Sequence, residues 1–345
     1  SPSRSRSRRC VTPRWRWGRC LAFAGRETVY AAWVRIRFHV ASRRLMREGA
    51  EVLVKTWCFG PDGLSNGVDF YYGSLPEELE RRGVRCVLLC GDAQGRRPSA
   101  FARSVFRRGW VRSIPEMCLV PIWAPTVVAC GQLRNALRLR RLARRAKRAS
   151  LAQLCAAAAA ESLKPITLRN AMYFYIARAA VQRWKARAFV AFYEGHPWEQ
   201  PAWRGAKAAQ AGCRTVGYQH TVVSPHAFTL LAPPRRAQAR SAPDVVLCLG
   251  EVTRRMLEPG HARQGNRLIT FGTFRRHDHN GTAGSPRPAQ RTVLVLPEGY
   301  VWETQLLFEF AMETAPLVPD HRFILRCHPV LPFEREDFVR VYDLD

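Results

Sequence analysis

The sequence predicts an α/β protein with two doubly wound, Rossmann-like domains in series, the second of them cut short. Three observations predict this class. From about residue 51, short apolar runs of the kind buried in parallel sheets alternate with amphipathic helical segments. A Pro- and Arg-rich stretch interrupts the alternation, which then starts afresh. The chain has 345 residues and is 47% hydrophobic, enough apolar material for two cores and too much for a disordered chain.

Taken in order, residues 1–24 are expected to be a disordered basic tail. Arg4, Arg6, Arg8, Arg9, Arg14, Arg16 and Arg19 stand there without an acid, and no apolar segment follows the opening charges as a secretory signal would require. An N-terminal domain is expected over residues 25–228. In it, EVLVKTW reads as a strand, SLPEELERRG as a helix ending at Gly83, and VRCVLLCG as a strand apolar on both faces. Residues 132–161 read as one helix, with Leu139, Leu142, Ala143 and Ala146 along one side, and residues 166–185 as a second. AFVAFY, PWEQPAWRGAKAAQAG and CRTVGYQH then make a strand–helix–strand unit, with Gly212 just past the helix.

Residues 229–243, which include LAPPRRAQARSAP, are expected to be a linker. A C-terminal domain follows over residues 244–345. DVVLCLG, NRLITFG, RTVLVLPEG and HRFILRCHP read as its strands, EVTRRMLEPG and TQLLFEFAMETAP as its helices, and HDHNGTAGSPRPAQ as a polar loop. A fresh helix signal at FEREDFVRVYDLD leads to the expectation that this domain is incomplete.

The net charge is +28, from 55 Lys+Arg against 27 Asp+Glu. Only Lys55, Lys147, Lys164, Lys185 and Lys207 are lysines, so 55 − 5 leaves 50 arginines, a ratio that matches the codon bias of a GC-rich genome. Apart from the tail, the excess is concentrated in residues 134–148, which carry seven Arg plus Lys147 and no acid. The 11 cysteines form no CxxC pair, and Cys86, Cys90, Cys248 and Cys327 sit in apolar strands as small hydrophobes. A reducing compartment is therefore expected and a zinc site is not. The longest apolar stretch, residues 117–130, is short and broken by Pro121 and Pro125, so no membrane-spanning helix is expected.

In open parallel sheets, ligands bind beyond the carboxyl ends of the strands. Four such ends carry polar residues. Glu194, His196, Trp198 and Glu199 follow AFVAFY, Gln219 and His220 close CRTVGYQH, Glu298 and Gly299 follow RTVLVLP, and His328 and Pro329 follow HRFILRC, where Arg326 precedes. The first two ends lie on strands joined by one crossover and are expected to be neighbours. A carboxylate and a histidine facing one crevice suit a general base and its orienting partner, with Glu194 first, His220 beside it and Glu199 behind. His196, Trp198 and Gln219 are secondary candidates on the acceptor side. Arg326, His328 and Pro329 suit a diphosphate, and Glu298 with Gly299 suits the hydroxyls of a ribose or sugar. For a metal, His277-Asp278-His279 is the best local cluster, but it reads as a solvated loop. GxGxxG, GxxxxGK[ST], HExxH and GxSxG are all absent, which removes the markers of several large enzyme classes.

The combination YEGHPWEQ, GYQH, PDVVLCLG, LVLPEG and FILRCHP resembles the GT-B-type glycosyltransferases of bacterial surface-carbohydrate (capsule and O-antigen polysaccharide) biosynthesis. The resemblance runs from about residue 55 to residue 329 and is specific over 193–220. It implies two Rossmann-like domains, a nucleotide-sugar donor held by the second, and a glycan or lipid-linked acceptor at the first. It also implies transfer without a bound metal or other cofactor, with His328 and Pro329 at the donor phosphate and Glu194, or failing that Glu199, as the base. A cytoplasmic location is expected, and residues 134–148, with a basic arc over a Leu/Ala face, suit either peripheral contact with anionic lipid at the inner face of the plasma membrane or the solvated face of a long core helix. The reading from a different class is a basic nucleic-acid-binding protein without enzymatic activity, on the strength of a sequence pI near 10.9. No aromatic residues interleave the basic run and no nucleic-acid-binding motif appears, so a nucleic-acid partner is disfavoured.

Overall fold

Strands that are apolar on both faces need cover on both sides, and helices before and between the strands supply it. The computed structural model describes residues 13–58, 69–93, 98–106, 112–221, 223, 227–231, 241–261, 266–275, 291–298 and 300–327. These divide into two compact units, one ending at Arg276 and one beginning at His277.

In the first unit, α1 (Pro13–Arg37) and α2 (His39–Arg47) precede β1 (Val52–Cys58), α3 (Leu75–Arg81), β2 (Cys86–Asp92), α4 (Pro98–Phe106) and β3 (Ser113–Pro115). Three helices follow in a row: α5 (Ala124–Arg145), α6 (Ala149–Glu161) and α7 (Pro165–Trp184). Then come β4 (Ala188–Phe192), α8 (Glu199–Ala209), β5 (Arg214–Gln219), α9 (Phe228–Leu231), β6 (Val245–Cys248), α10 (Glu251–His261) and β7 (Arg267–Thr270). The seven strands form one parallel sheet in the order β3-β2-β1-β4-β5-β6-β7. Val52 lies opposite both Cys86 and Ala188, so β1 pairs with β2 on one side and with β4 on the other. The chain winds outward from β1 to β3, returns through α5, α6 and α7, and winds the other way from β4 to β7. The crevice beyond the ends of β1 and β4 is the topological switch point, where doubly wound sheets take their ligands.

Several expectations change at this level. β6 and β7 pair within the first sheet, so the division falls at 276/277 and not in residues 229–243. DVVLCLG and NRLITFG therefore belong to the unit expected to end at residue 228. Residues 13–24 are the first turns of α1, and Cys20, Phe23 and Ala24 pack with Val128 and Ala136 of α5, Ala159 of α6, and Leu168 and Met172 of α7 in a helical core of their own. Three buried apolar residues at helical spacing hold a basic segment that composition alone assigned to a tail. The single helix expected over 132–161 is a hairpin, broken where Ala146 and Arg148 take extended backbone. The break falls among Arg144, Arg145, Lys147 and Arg148, where a continued helix would align like charges and a helix C-terminus welcomes cations.

The second unit contains β8 (Arg291–Val295), α11 (Val301–Thr314) and β9 (His321–Leu325). β8 and β9 pair in parallel with Arg291 opposite His321, so the described residues make one strand–helix–strand unit. Thr304, Phe308 and Ala311 form the buried side of α11. Among the described residues no helix is long and apolar enough to cross a membrane, and no disulfide joins two of the ten described cysteines.

Candidate functional site

β4 delivers the site. Its last rung is continued by Tyr193, whose N–H donates to the Tyr218 carbonyl at 2.9 Å. The chain then turns at Gly195, where φ is +81° and a Cβ would strike the Thr229 hydroxyl, so only glycine fits. The turn is locked from below. Glu199, in the first turn of α8 and 1% exposed, accepts the N–H of Glu194 at 3.0 Å and that of Gly195 at 3.1 Å. With its backbone pinned in this way, Glu194 presents its carboxylate to two imidazoles. Oε2 meets His196 Nε2 at 2.9 Å and Oε1 meets His220 Nε2 at 3.3 Å.

These contacts separate the four titrations. Burial works to raise the Glu194 carboxyl, but the His196 hydrogen bond, the neighbouring His220 and the Thr221 hydroxyl together hold it below the usual carboxylate range. The hydrogen bond to Glu194 raises His196, against the effect of its partial burial. Burial pushes Glu199 up to about 8, against the pull of the backbone N–H donors. Burial pushes His220 down to about 4, against the attraction of Glu194. Near neutral pH the cluster therefore holds an ionised Glu194, a protonated Glu199 and a neutral, buried His220. His196, half-exposed, is the member poised to exchange a proton. Two neighbouring carboxylates driven apart in this way are a pattern of acid–base sites.

Glu194, His196 and Trp198 form one edge of a cavity of about 790 Å³. Its apolar wall is made by Trp57, Met172, Tyr173, Ile176 and Trp198, and its rim carries Arg26, Glu27, Asp92 and Arg169. The rim is organised from within: Glu27, itself buried, is bridged by Arg26 at 3.2 Å and by Arg169 at 3.3 Å. Tyr71, whose ring packs edge-on against His220, accepts at its carbonyl from Arg275 at 3.0 Å, and the guanidinium lies over the Tyr71 and Phe70 rings.

Glu116, which lines the cavity, is paired with a buried cation that was not among the sequence candidates. Lys55, in the middle of β1 and 1% exposed, lies 3.2 Å from Glu116 and 3.6 Å from the centre of the Trp57 ring, and donates to the Thr56 carbonyl at 2.7 Å. Tyr173 donates its hydroxyl to the other Glu116 oxygen at 2.7 Å. A Cβ on Gly91 of the neighbouring strand would come within 2.6 Å of the Lys55 ammonium, so glycine there leaves room for the pair. The signal was a lysine inside EVLVKTW, since a cation in a strand buried on both faces requires a partner.

Of the sequence candidates in the first unit, Glu194, His196, Trp198, Glu199 and His220 come together. Gln219 is present but committed elsewhere. Its Oε1 accepts the Leu249 N–H at 3.1 Å and its Nε2 donates to the Thr221 carbonyl, so it ties β5 to the segment after β6. His220 stands behind Glu194, among Tyr71, Phe192 and Tyr218, and orients the carboxylate from the protein side. The ligand atoms of Glu194, His196 and Glu199 lie within 4.8 Å of one another, close enough to meet around a cation. The hydrogen bonds inside the cluster already account for that closeness.

The second unit repeats the device. EGYVWE at 298–303 matches EGHPWE at 194–199 in its first, second, fifth and sixth residues, and the Glu298 N–H donates to the Glu303 carboxylate at 3.1 Å as that of Glu194 does to Glu199. This internal repeat was legible in the sequence and places Glu298 in the position of Glu194. The surroundings differ: Trp198 is 4% exposed whereas Trp302 is 66% exposed, and Glu298 is exposed as well. Arg326 continues β9 by donating its N–H to the Val295 carbonyl at 3.1 Å. Gly299, His328 and Pro329 lie outside the described residues, as do His277, Asp278 and His279.

No family model matches the chain, and no curated protein matches it. Among solved structures, it is similar to one described as the glycotransferase of kitacinnamycin, at 16% identity and a TM-score of 0.44, covering 83% of this chain and 68% of that one.

Proposed function

We propose that the protein is a glycosyltransferase that moves a sugar from a nucleotide-activated donor to an acceptor hydroxyl of a surface polysaccharide or lipid-linked saccharide. The observation that carries this reading is a carboxylate clamped between two histidines at the edge of a 790 Å³ cavity, at the switch point of a doubly wound sheet. Within the cluster, the role of base expected of Glu194 is better suited to His196, a secondary candidate on the acceptor side. A carboxylate held below its usual range is a weak proton acceptor, whereas an imidazole with a raised pKa is a stronger one. His196 is therefore the base and Glu194 the group that fixes its tautomer, Nε2–H donating to Glu194 and Nδ1 left for the acceptor hydroxyl. As the acceptor oxygen bonds to the anomeric carbon, the bond from that carbon to the diphosphate oxygen breaks and the hydroxyl proton passes to His196. Donor recognition is assigned to the second unit, through Glu298, Gly299, Arg326, His328 and Pro329, with basic side chains in place of a metal at the leaving diphosphate.

The test is nucleotide release and glycan product formation by the full chain, offered a panel of nucleotide sugars with oligosaccharide and lipid-linked acceptors. His196→Ala and Glu194→Gln should each lower transfer by about 10²–10⁴-fold. In the wild type, kcat/KM should fall as pH drops through the raised pKa of His196. Transfer retained in both variants would show that the chemistry lies elsewhere.

A further inference from the structure

The hairpin of α5 and α6 has two outer faces of different character. On α5, exposed Arg134, Arg138, Arg141 and Arg145 follow one another at three- and four-residue spacing and form a single stripe, flanked by exposed Leu137 and Leu142. On α6, Leu151 at 48% and Leu154 at 66% exposure stand among exposed Ala149, Ser150, Gln153, Ala156 and Ala157. No aspartate or glutamate occurs from residue 124 to residue 160, and α6 has no charged residue of either sign before Glu161. A helix facing only water is normally studded with charge, and one that exposes leucines over uncharged residues is not solvated in the ordinary way.

We propose that this hairpin docks the protein on an anionic lipid surface. The arginine stripe supplies attraction for lipid phosphates, and the uncharged leucine-bearing face supplies shallow burial beneath the headgroups. Duplex nucleic acid would use the stripe alone and leave the leucines in water. A second copy of the chain would bring two acid-free, strongly basic surfaces together, which repel. The inference stands apart from the glycosyl-transfer reading, since it uses no residue of the Glu194 cluster. The two have a spatial connection: α6 leads directly into α7, whose Ile166, Arg169 and Asn170 line the cavity.

The experiment is co-sedimentation of the full chain with vesicles of equal parts phosphatidylcholine and phosphatidylglycerol, beside vesicles of phosphatidylcholine alone and duplex DNA at the same salt. The protein should bind the mixed vesicles, release them as salt is raised, and leave the neutral ones in solution. Replacing Arg138, Arg141 and Arg145 together by Gln should weaken vesicle partitioning roughly a hundredfold, and replacing the same three by Lys should preserve it. Leu151→Ser with Leu154→Ser should weaken it about tenfold, with the circular dichroism spectrum unchanged in every variant. Four results would overturn the proposal: no vesicle binding, equal binding to neutral vesicles, tighter binding to DNA, or a self-association that the two leucine substitutions abolish.

Discussion

Glu199 sets a measurable slope in the stability of the first unit. Its carboxyl titrates at about 8 in the folded protein, pushed up by burial, against an ordinary 4.5. Between those values the folded state binds a proton that the unfolded chain releases, so stability falls as pH rises. The whole gap, at about 1.4 kcal/mol per pH unit, amounts to about 5 kcal/mol. His220 works in the other direction: with its folded pKa lowered to about 4 from 6.5, the stability it contributes is present above 6.5 and lost as pH falls toward 4. The two oppose each other at acid pH, so the clean window is from 6.5 to 8, where Glu199 alone should remove about 2 kcal/mol. His196 has the same sign in that window, but half of it faces water and screening keeps its share small. Glu199→Gln keeps an oxygen for the Glu194 and Gly195 N–H groups while abolishing the titration. Urea unfolding at pH 6.5 and at pH 8, followed by far-ultraviolet circular dichroism, should show the wild-type midpoint dropping and the variant's holding nearly level. Equal drops in the two proteins would refute the protonated, buried carboxyl on which the site's electrostatics rest.

Two further outcomes follow from the same cluster and its wall. Lys55→Met should cost about 3–5 kcal/mol because it leaves Glu116 buried and unpaired, and adding Glu116→Gln, which still accepts from Tyr173, should recover most of the loss in thermal unfolding. Gly195→Ala combines a left-handed backbone with a collision at Thr229, so it should lose at least about 1–3 kcal/mol of stability. If its unfolding matched that of the wild type, the turn would not be held as described.

Most strands and the helices between them were legible because strand apolarity and helix ends are local signals. EVLVKTW, VRCVLLCG, AFVAFY and DVVLCLG became β1, β2, β4 and β6 within a residue or two of their expected limits. Which sheet a strand joins is not local. DVVLCLG and NRLITFG follow a Pro-rich stretch like the strands of a new domain, yet their backbone groups pair with β5 and with each other. Nothing in their own residues distinguishes the two outcomes. Charge dominates the composition of residues 13–24, whereas Cys20, Phe23 and Ala24 are what place them against α5 and α7; residues 1–12 lie outside the described residues. At the site, Glu194 and His220 were legible from strand ends alone, but the pairing of Glu199 with the Glu194 backbone was not. A first-turn glutamate has the same sequence signature whether it faces water or closes a loop.

The two corners share one hydrogen bond and differ in what surrounds it. In both corners, glutamate begins the loop after the strand, and a glutamate five residues on accepts the first one's N–H. That arrangement fixes the backbone and frees the leading carboxylate, which makes it a positioning device and not by itself a catalyst. What differs is the third residue. His196 places an imidazole 2.9 Å from Glu194, and β5 adds His220 from the other side. The second corner offers Tyr300 at that place, and phenols as a class accept protons poorly near neutral pH. Burial follows the same division, because Trp198 roofs the first corner with an apolar ring while Trp302 is exposed. A water-poor, histidine-flanked carboxylate can tune a base; an exposed one beside aromatic faces is suited to hold the hydroxyls of a sugar or ribose. The two corners thus part company at the residue after the glycine, His196 in one and Tyr300 in the other.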